Sequence, residues 1–389
     1  MLTMIRKISD SVTLVSEDDL SGHPFESQYP VPDGMAYNTY IVRGEKTALL
    51  DAPDESVADR WAEELLEALG GRTVDYYVVH HMEPDHSSSM RRVLSMFPEA
   101  RIVASAKALR MMNQFMNADM SARTDTVKEG DTLDLGGGTQ LKFIEAPNVH
   151  WPEVIMSYLP AERTLFSADA WGRFGPGSAD YEWMAGARRY YFNIVGKFGA
   201  AVLKVLDKAS GLDIARICPL HGCPLEESIG KYVSIYRGWA SYEPEDDGIA
   251  VICASFYGNT KRAAEHAAET ARKMGRPATF VDLMEQDASY AIEAAFRHPA
   301  MIVAATTYEG GLNPRMKIFL EELVSKKYGS RRVGIIENGS FGPRSGKIIR
   351  EILSEAEGIS AAENNVTISS APTEENMAQI ESLTKSLLE

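Results

Sequence analysis

The stretch His80-His-Met-Glu-Pro-Asp-His-Ser-Ser-Ser89 places four potential metal ligands within six residues, namely His81, Glu83, Asp85 and His86. It follows an apolar run, residues 75–79, that is typical of a buried strand. Because Pro84 disfavours the interior of a helix or a central strand, we expect the four ligands on a loop at the end of that strand. Alternate residues of an extended loop point the same way, so His81, Glu83 and Asp85 are predicted to face one pocket.

Three further ligand-type side chains follow apolar runs later in the chain, namely His150, Asp169 and His221. Each of them alone could be a capping aspartate or a loop histidine. With the first stretch they supply seven nitrogen and oxygen donors placed after predicted strands. A set of imidazoles and carboxylates suits a transition metal that is a harder Lewis acid than the metals that prefer thiolates. The sequence therefore predicts a transition-metal pocket, of a kind that often holds two ions, with His80 turned away from it by alternation.

The length of the whole chain, 389 residues, predicts two or three domains. Its composition, 44% apolar and 24% charged, is that of a globular protein. Its net charge of −15 argues against nucleic acid and anionic membranes as partners, because polyanion binding needs basic patches. No apolar run reaches the ~18 residues of a membrane span, and we expect no signal peptide. Three cysteines without a Cys-x-x-Cys pair fit a reducing cytoplasm.

The first part of the chain mixes strand and helix patterns. Its opening segments alternate apolar and polar side chains, as half-buried strands do, and residues 55–69 carry a helical apolar stripe that ends at two glycines. Residues 182–208 and 224–241 are predicted to form long helices. The order of these elements, with ligands at strand ends, predicts a layered αββα sandwich for residues 1–245.

After a short acidic linker, residues 242–248, the pattern changes to a regular alternation of strands and helices. Five apolar runs separated by helical patterns predict a doubly wound parallel sheet for residues 246–389. The fold class is therefore α/β in both parts of the chain. Ligands bind doubly wound sheets outside the carboxyl ends of the strands, so the loops there are candidate cofactor contacts.

Three of these loops carry residues suited to a phosphate group and a stacking ring. The first, Ser255-Phe-Tyr-Gly-Asn-Thr260, combines hydroxyl groups with backbone amides at a helix N-terminus, which form a phosphate cradle. The other two are rich in glycine and contain aromatic side chains. The candidate contacts are Ser255, Phe256, Tyr257, Gly258, Asn259, Thr260, Thr306, Thr307, Tyr308, Glu309, Gly310, Asn338, Gly339, Ser340, Phe341 and Gly342.

These motifs resemble two known folds. The ligand spacing is similar to that of the metallo-β-lactamase fold, whose zinc hydrolases carry His where this chain has Glu83. The exchange makes the pocket harder and more anionic, which favours iron over zinc. It is the signature of the flavodiiron proteins, also called A-type flavoproteins. The loop Ser255–Thr260 resembles the flavodoxin phosphate loop, as that family requires, and the resemblance covers essentially the full length.

The resemblance implies two iron ions and one FMN per chain. One iron is bound by His81, Glu83 and His150 and the other by Asp85, His86 and His221, with Asp169 as the bridge. FMN relays electrons from a separate donor, a rubredoxin-like protein or a flavin or deazaflavin reductase, because no rubredoxin-like cysteine module is present. Dioxygen is reduced to water, nitric oxide to nitrous oxide, or both. A head-to-tail homodimer, or a dimer of dimers, brings the FMN of one subunit to the iron pair of the other.

Some positions depart from the family pattern. Phe174 stands where many members have His, the segment 25–32 lacks a His that many members carry, and Phe341 replaces the usual Trp. Tyr190 is then the remaining polar candidate for a catalytic role. These changes leave the preference between dioxygen and nitric oxide open. Two rival functions also remain: a zinc hydrolase fused to a flavodoxin module, and an electron carrier whose metal domain is structural.

Overall fold

The computed structural model describes residues 3–178 and 180–389 and divides into two compact units. The first unit comprises the residues up to Tyr191 together with Phe198–Arg237, and the second comprises Phe192–Lys197 and Gly238–Glu389. We retain residues 1–245 and 246–389 as a proposal for the two domains.

The first unit contains most of the predicted strands and helices. Its strands are β1 (Thr3–Lys7), β2 (Val12–Asp19), β3 (Met35–Arg43), β4 (Thr47–Leu50), β5 (Tyr76–Val79), β6 (Arg101–Ser105), β7 (Thr124–Val127), β8 (Thr132–Asp134), β9 (Gln140–Glu145), β10 (Ile155–Leu159), β11 (Thr164–Phe166) and β12 (Arg216–Cys218). The α-helices in this part of the chain are α1 (Ala58–Leu69), α2 (Pro84–Ser87), α3 (Met90–Met96), α4 (Ala106–Met116), α5 (Trp183–Tyr190), α6 (Gly199–Ala209) and α7 (Ile229–Ala240).

Two sheets stack face to face in this unit. The first has the order β1-β2-β3-β4-β5-β6-β7, antiparallel up to β4 and parallel from there on, and the second has the order β12-β11-β10-β9-β8. Apolar side chains from both sheets, among them Leu50, Val78 and Phe143, form one buried layer between them.

Helices cover the outer faces of both sheets. Trp61 of α1 lies in a second buried cluster with side chains of the first sheet, and Lys208 of α6 donates to the backbone oxygen of Glu145 on β9 at 2.8 Å. The apolar stripe of α1 thus faces the core, as its helical period predicts. Gly70, with φ of 60°, ends the helix. The predicted αββα arrangement is confirmed.

Three local predictions are wrong. Pro84 does not lie on an extended loop but begins α2, because the first helical position needs no N–H donor and suits the fixed φ of proline. Residues 182–208 do not form one helix: α5 is followed by a π-helical turn, Tyr191–Val195, and a 3₁₀ turn before α6. Aromatic and β-branched residues have low helix propensity, and they fill this break. The other predicted long helix begins only at Ile229.

The second unit is a doubly wound α/β fold. Its strands are β13 (Ile249–Ala254), β14 (Ala278–Asp282), β15 (Ala300–Tyr308), β16 (Gly311–Leu312), β17 (Arg332–Asn338), β18 (Ser360–Ala361) and β19 (Val366–Ile368). Its helices are α8 (Asn259–Lys273), α9 (Ala288–Arg297), α10 (Pro314–Ser325), α11 (Ser345–Leu353) and α12 (Glu374–Leu388).

The parallel strand order of this unit is β14-β13-β15-β17, after which β18 and β19 both pair with β17. This is the flavodoxin-like order, and the predicted parallel sheet is confirmed. Buried alanines of α8 pack on the sheet together with apolar residues of α12. The order reverses between β13 and β15, so a cofactor site is expected beside their carboxyl ends. In the part of the chain that the structure describes, no helix is long and apolar enough to cross a membrane.

Candidate metal centre and cofactor cavity

The predicted metal ligands come together in two groups. In the first, His81, Glu83, His150 and Asp169 each offer one ligand atom, and these atoms lie within 4.8 Å of one another. His150 Nε2 is 2.8 Å from Glu83 Oε2 and 3.1 Å from Asp169 Oδ2. The side chains arrive from three places in the sequence: the end of β5, the loop after β9, and the loop after β11.

The second group consists of Asp85, His86 and His221. The Nε2 atoms of the two histidines are 3.0 Å apart, and each is 3.2 Å from Asp85 Oδ2. Asp85 and His86 are adjacent on the single turn of α2, so it is the helical turn, and not an extended loop, that directs them into this group.

Asp169 lies between the two groups. Its Oδ2 is 3.1 Å from His150 Nε2, and its Oδ1 is 3.1 Å from His86 Nε2. One carboxylate therefore faces a histidine of each group with a different oxygen. This is the geometry that a carboxylate bridge between two metal ions requires.

The nitrogen and oxygen atoms of the two groups are placed to bind cations rather than to form hydrogen bonds with one another. Two imidazole nitrogens that face each other at 3.0 Å cannot both carry a proton. Asp85 is buried, and its Oδ1 has no hydrogen-bond partner among the described residues. Buried polar atoms normally have partners, so such a set indicates a site for a cation. Nitrogen and carboxylate donors without thiolate suit a transition metal that does not prefer thiolates.

The ionisable groups of the cluster shift strongly towards their charged forms. Burial lowers the pKa of His86, but the carboxylates of Asp85 and Asp169 outweigh it and raise the pKa to about 10. Burial raises the pKa of Glu83, but hydrogen bonds from His150 and His81 outweigh burial and lower the pKa to about 2. The carboxylates therefore favour positive charge at the centre of the cluster.

Two hydrogen bonds behind the cluster orient its histidines. His81 Nδ1 donates to Glu153 Oε1 at 2.8 Å, and His221 Nδ1 donates to the backbone oxygen of Ala36 at 2.8 Å. Because Nδ1 makes these hydrogen bonds, the Nε2 atom of each ring is the one available to coordinate a metal ion. Glu153 was not predicted from the sequence, although a buried acid three residues after His150 could have indicated it.

His80 supports the cluster from the side, as predicted. Its Nδ1 is 2.6 Å from Asp51 Oδ2 and its Nε2 is 2.8 Å from Ser157 Oγ, so the ring ties β4 to β10. The two backbone N–H groups that start the ligand stretch, those of His80 and His81, also face Asp51 Oδ1.

Aromatic side chains cover the His221 side of the cluster. The ring centroids of Phe25, Tyr37 and Tyr190 lie 5.4, 5.6 and 5.5 Å from that of His221. Phe174 contacts Phe25 and Tyr190 in turn, at 5.7 and 5.2 Å. The Tyr190 side chain is fully buried, and its hydroxyl group has no hydrogen-bond partner among the residues described.

A cavity of about 430 Å³ connects the surface with the cluster. It reaches Glu83 and Asp85, and its other charged or titratable lining residues are Asp19, His23, Glu26 and Asp54, together with Tyr37. Partial burial and the nearby carboxylate of Glu83 raise the pKa of Glu26 to about 8.

A second cavity, of about 470 Å³, lies at the carboxyl ends of the strands in the second unit. Its size is in the usual range for small-molecule sites. It is lined by every predicted cofactor contact except Gly258, Glu309, Gly310, Phe341 and Gly342, and additionally by Ser370. Phe256 and Tyr308 flank it with ring centroids 5.1 Å apart, whereas Phe341 is 92% exposed. The roles of the five residues outside the lining stay predictions.

The loop before α8 has the form of a phosphate cradle. Gly258 has φ of 85° and caps the helix, and its N–H donates to Ser255 Oγ at 3.1 Å. Thr260 lies on the first turn, where backbone N–H groups remain without helical partners. The Thr306 hydroxyl, buried in the same cavity, has no partner among the residues described.

Asn338 joins the cradle to a loop that the sequence did not single out. Its Nδ2 donates to Thr260 Oγ1 at 3.2 Å and to the backbone oxygen of Ser370 at 3.0 Å, and its Oδ1 accepts from the Ser370 N–H at 3.2 Å. Ser370 Oγ donates to Ser340 Oγ at 2.9 Å. No local motif marks Ser370, because its position depends on the end of β19.

Comparisons with known proteins agree with this geometry. Residues 35–222 match the family model described as ODP family beta lactamase. The anaerobic nitric oxide reductase flavorubredoxin of Vibrio vulnificus (strain YJ016) is 27% identical over 357 residues, which are 88% of this chain and 71% of the relative. The protein of the same name from Aliivibrio fischeri (strain ATCC 700601 / ES114) is 28% identical over the same shares of the two chains.

Two solved structures share the fold over nearly their full length. Rubredoxin oxygen:oxidoreductase from Desulfovibrio gigas has a TM-score of 0.90 and 24% identity, covering 99% of this chain and 98% of its own. The flavodiiron protein from Giardia intestinalis has a TM-score of 0.91 and 22% identity, covering 100% and 97%. Fold and matches define a lactamase-like metal unit joined to a flavodoxin-like unit. The chain is thus similar over most of its length to proteins named flavorubredoxin and flavodiiron protein, in line with the resemblance found in its sequence.

Proposed function

We propose that this protein is a diiron flavoenzyme that reduces dioxygen to water, nitric oxide to nitrous oxide, or both. The observation that carries the proposal is the position of Asp169 between two complete groups of nitrogen and oxygen donors. The relatives are named as nitric oxide reductases and as an oxygen oxidoreductase, which supports a redox function and speaks against the zinc hydrolase alternative.

We propose that the two groups supply the ligands of two metal ions. His81, Glu83 and His150 would hold one iron, Asp85, His86 and His221 the other, and Asp169 would join them. When bound, the two ferrous ions and a reduced FMN would supply the four electrons that, with four protons, turn one dioxygen into two waters. They would likewise supply the two electrons that, with two protons, turn two nitric oxide molecules into one nitrous oxide and one water.

The residues around the ligands prepare the pocket for this reaction. Glu153 and the backbone oxygen of Ala36 hold His81 and His221 with Nε2 directed inwards. Phe25 and Phe174 keep water from the His221 side, so charge at the ligands is weakly screened. The substrate gas reaches Glu83 and Asp85 through the acidic cavity.

Tyr190 is the proposed proton or hydrogen-bond donor. Burial and the carboxylate of Asp169 raise the pKa of its hydroxyl well above the ordinary value for tyrosine, so it keeps its proton at neutral pH. Its hydroxyl is buried without a partner among the described residues, and its ring lies 5.5 Å from His221. A donor held in this way is available to a substrate oxygen atom.

FMN is the proposed occupant of the second cavity. The helix N-terminus of α8, with Ser255 and Thr260, would bind the phosphate group, and Phe256 and Tyr308 would contact the ring system. Both cofactors remain part of the proposal, together with Ser370 as a further FMN contact.

The electron donor is proposed to be a separate protein or reductase. The Desulfovibrio gigas relative is named rubredoxin oxygen:oxidoreductase, and this name pairs that relative with rubredoxin. A head-to-tail homodimer or a dimer of dimers remains the proposed assembly. Three free cysteines fit the proposed cytoplasmic location.

Stopped-flow mixing tests the function. The purified full chain is assayed for iron, zinc and FMN, reduced without air, and mixed with dioxygen or with nitric oxide while flavin absorbance is followed. We expect about two irons per chain and rapid flavin reoxidation by at least one gas, and the faster gas identifies the substrate.

A matched variant separates the metal centre from the flavin. His221→Asn should retain FMN and lose rapid reoxidation, because FMN binds in the other unit. Slow reoxidation by both gases in the iron-loaded protein, or zinc as the bound metal with hydrolysis of a β-lactam, would contradict the proposal.

A further inference from the structure

The side chain of Trp151 joins the first ligand group to the protein surface. Its ring centroid lies 5.3 Å from that of His81 and 6.3 Å from that of His150, and both contacts are edge to face. One indole therefore contacts two of the three residues that are the proposed ligands of one metal ion. The proposed function assigns Trp151 no role.

Trp151 differs in its exposure from the other aromatic side chains that contact the ligand histidines. Phe25, Tyr37 and Tyr190 are buried, whereas Trp151 is partly exposed. Its Nε1 donates no hydrogen bond to any described residue, and it is not among the buried polar atoms that lack a partner. A buried indole N–H normally finds an acceptor. The polar edge of the indole is therefore accessible from the surface, while its rings contact the histidines.

Two hydrogen bonds hold the backbone beside Trp151 in place. Ser105 Oγ donates to the backbone oxygen of Glu153 at 2.7 Å, and Lys107 Nζ donates to that of Pro152 at 3.1 Å. The Lys107 side chain is exposed, so it also places a positive charge beside this loop. The loop thus keeps the indole against the histidines, and the charge favours the approach of a negatively charged electron donor.

The burial of the ligands makes the route of electrons into the metal centre a structural question. Each of the seven proposed ligands is at most 9% exposed. Electrons reach such a centre by tunnelling, and electronic coupling falls steeply with the empty space that they must cross. An indole that contacts two ligands and also reaches the surface bridges this space with its π orbitals, without being oxidised or reduced itself. An aliphatic side chain of similar volume would exclude water equally well but would couple the ligands to the surface less strongly.

We propose that Trp151 is the relay through which electrons from a reduced flavin enter the iron pair. The inference rests on the proposed function, because it requires iron at the ligands and FMN as the source of electrons. In this step one FMNH⁻ loses two electrons and one proton to give FMN, and two ferric ions each gain one electron and become ferrous. The proton passes to solvent, and the indole is unchanged at the end.

The test follows this electron transfer without dioxygen or nitric oxide, so it does not depend on turnover. Full-length protein that holds FMN and ferric iron is freed of oxygen. A light pulse with a sacrificial donor reduces the flavin, and the recovery of flavin absorbance gives the rate at which electrons pass to iron. The iron content and the reduction potential of the iron pair are measured on the same samples.

Two substitutions at one position separate an aromatic ring from apolar volume. Trp151→Leu should slow the transfer by roughly 10–100-fold, the range typical of residues that support metal ligands. Trp151→Phe retains an aromatic ring and should retain most of the rate. Phe115→Leu is the matched control, because it removes a ring that is 54% exposed on the same unit and makes no ring contact with a ligand histidine. Iron content and reduction potential should be equal in all four proteins.

The other outcomes are decisive. A rate in Trp151→Leu equal to that of the unmodified protein would overturn the relay, because electrons would then enter elsewhere. Lost iron or a changed potential in Trp151→Leu would also overturn it, because Trp151 would then only position His81 and His150. A rate in Trp151→Phe as low as that in Trp151→Leu would contradict transfer through an aromatic ring. Failure of the unmodified protein to hold iron and FMN, or to pass electrons between them, would instead refute the proposed function.

Discussion

Replacing Glu153 by glutamine is expected to weaken iron binding at the first ligand group without unfolding the protein. Glu153 is 2% exposed, and its Oε1 accepts from His81 Nδ1 at 2.8 Å and from the Met82 N–H at 3.0 Å. The glutamine oxygen can still accept these bonds, but the negative charge that strengthens His81 as a ligand is lost.

The magnitude follows from the lost charge. A hydrogen bond to a charged group contributes about 1.5–3 kcal/mol, against about 1 kcal/mol for a neutral pair. The difference, about 0.5–2 kcal/mol, corresponds to roughly 2–30-fold in affinity, close to the ~10–100-fold measured for residues behind metal ligands. Glu153→Leu should weaken binding further, because His81 Nδ1 is then buried without an acceptor.

Chelator competition on anaerobic, iron-loaded protein measures this effect, and thermal unfolding of the apoproteins checks the fold. Glu162→Gln is the matched control, since Glu162 Oε1 accepts from the Ser11 N–H and Oγ, at 3.1 and 2.8 Å, rather than from a ligand histidine. If Glu153→Gln and Glu162→Gln retain iron equally well, Glu153 does not tune His81 and the argument is refuted.

Three further substitutions have defined outcomes. Tyr190→Phe should slow flavin reoxidation by on the order of 100-fold at unchanged iron content, measured by stopped flow, if its hydroxyl donates to the substrate. Asn338→Leu should weaken FMN binding by about 1–3 kcal/mol in fluorescence titrations, because its bonds to Thr260 and Ser370 are lost. Burial and neighbouring Glu17 raise the pKa of Glu64 from 4.5 to about 7. The native state then holds a proton that the unfolded chain releases, so denaturant-measured stability falls as pH rises from about 4.5 to about 7, less steeply in Glu64→Gln.

Several features of the fold are readable from local sequence because they depend on local periodicity. The stripe of Trp61, Leu65 and Leu69 predicts α1, and the alternation of apolar runs with helical patterns predicts the parallel sheet of the second unit. The break between α5 and α6 was missed, because the low helix propensity of its residues is a weak signal and the hydrogen bonds of a π-helical turn differ from those of an α-helix by a shift of only one residue.

The residue types of the candidate metal centre could also be read from the sequence alone, since each follows a strand pattern. Their arrangement was decided by tertiary structure. His81 meets Glu153 across 72 positions of the chain, and His221 meets the backbone of Ala36 across 185. The place of Asp169 between the groups, the cover of Phe25 and Phe174, and the role of Ser370 likewise depend on which strand ends become neighbours. A local pattern reports which side chains a strand end presents, whereas only the folded sheets determine what those side chains face.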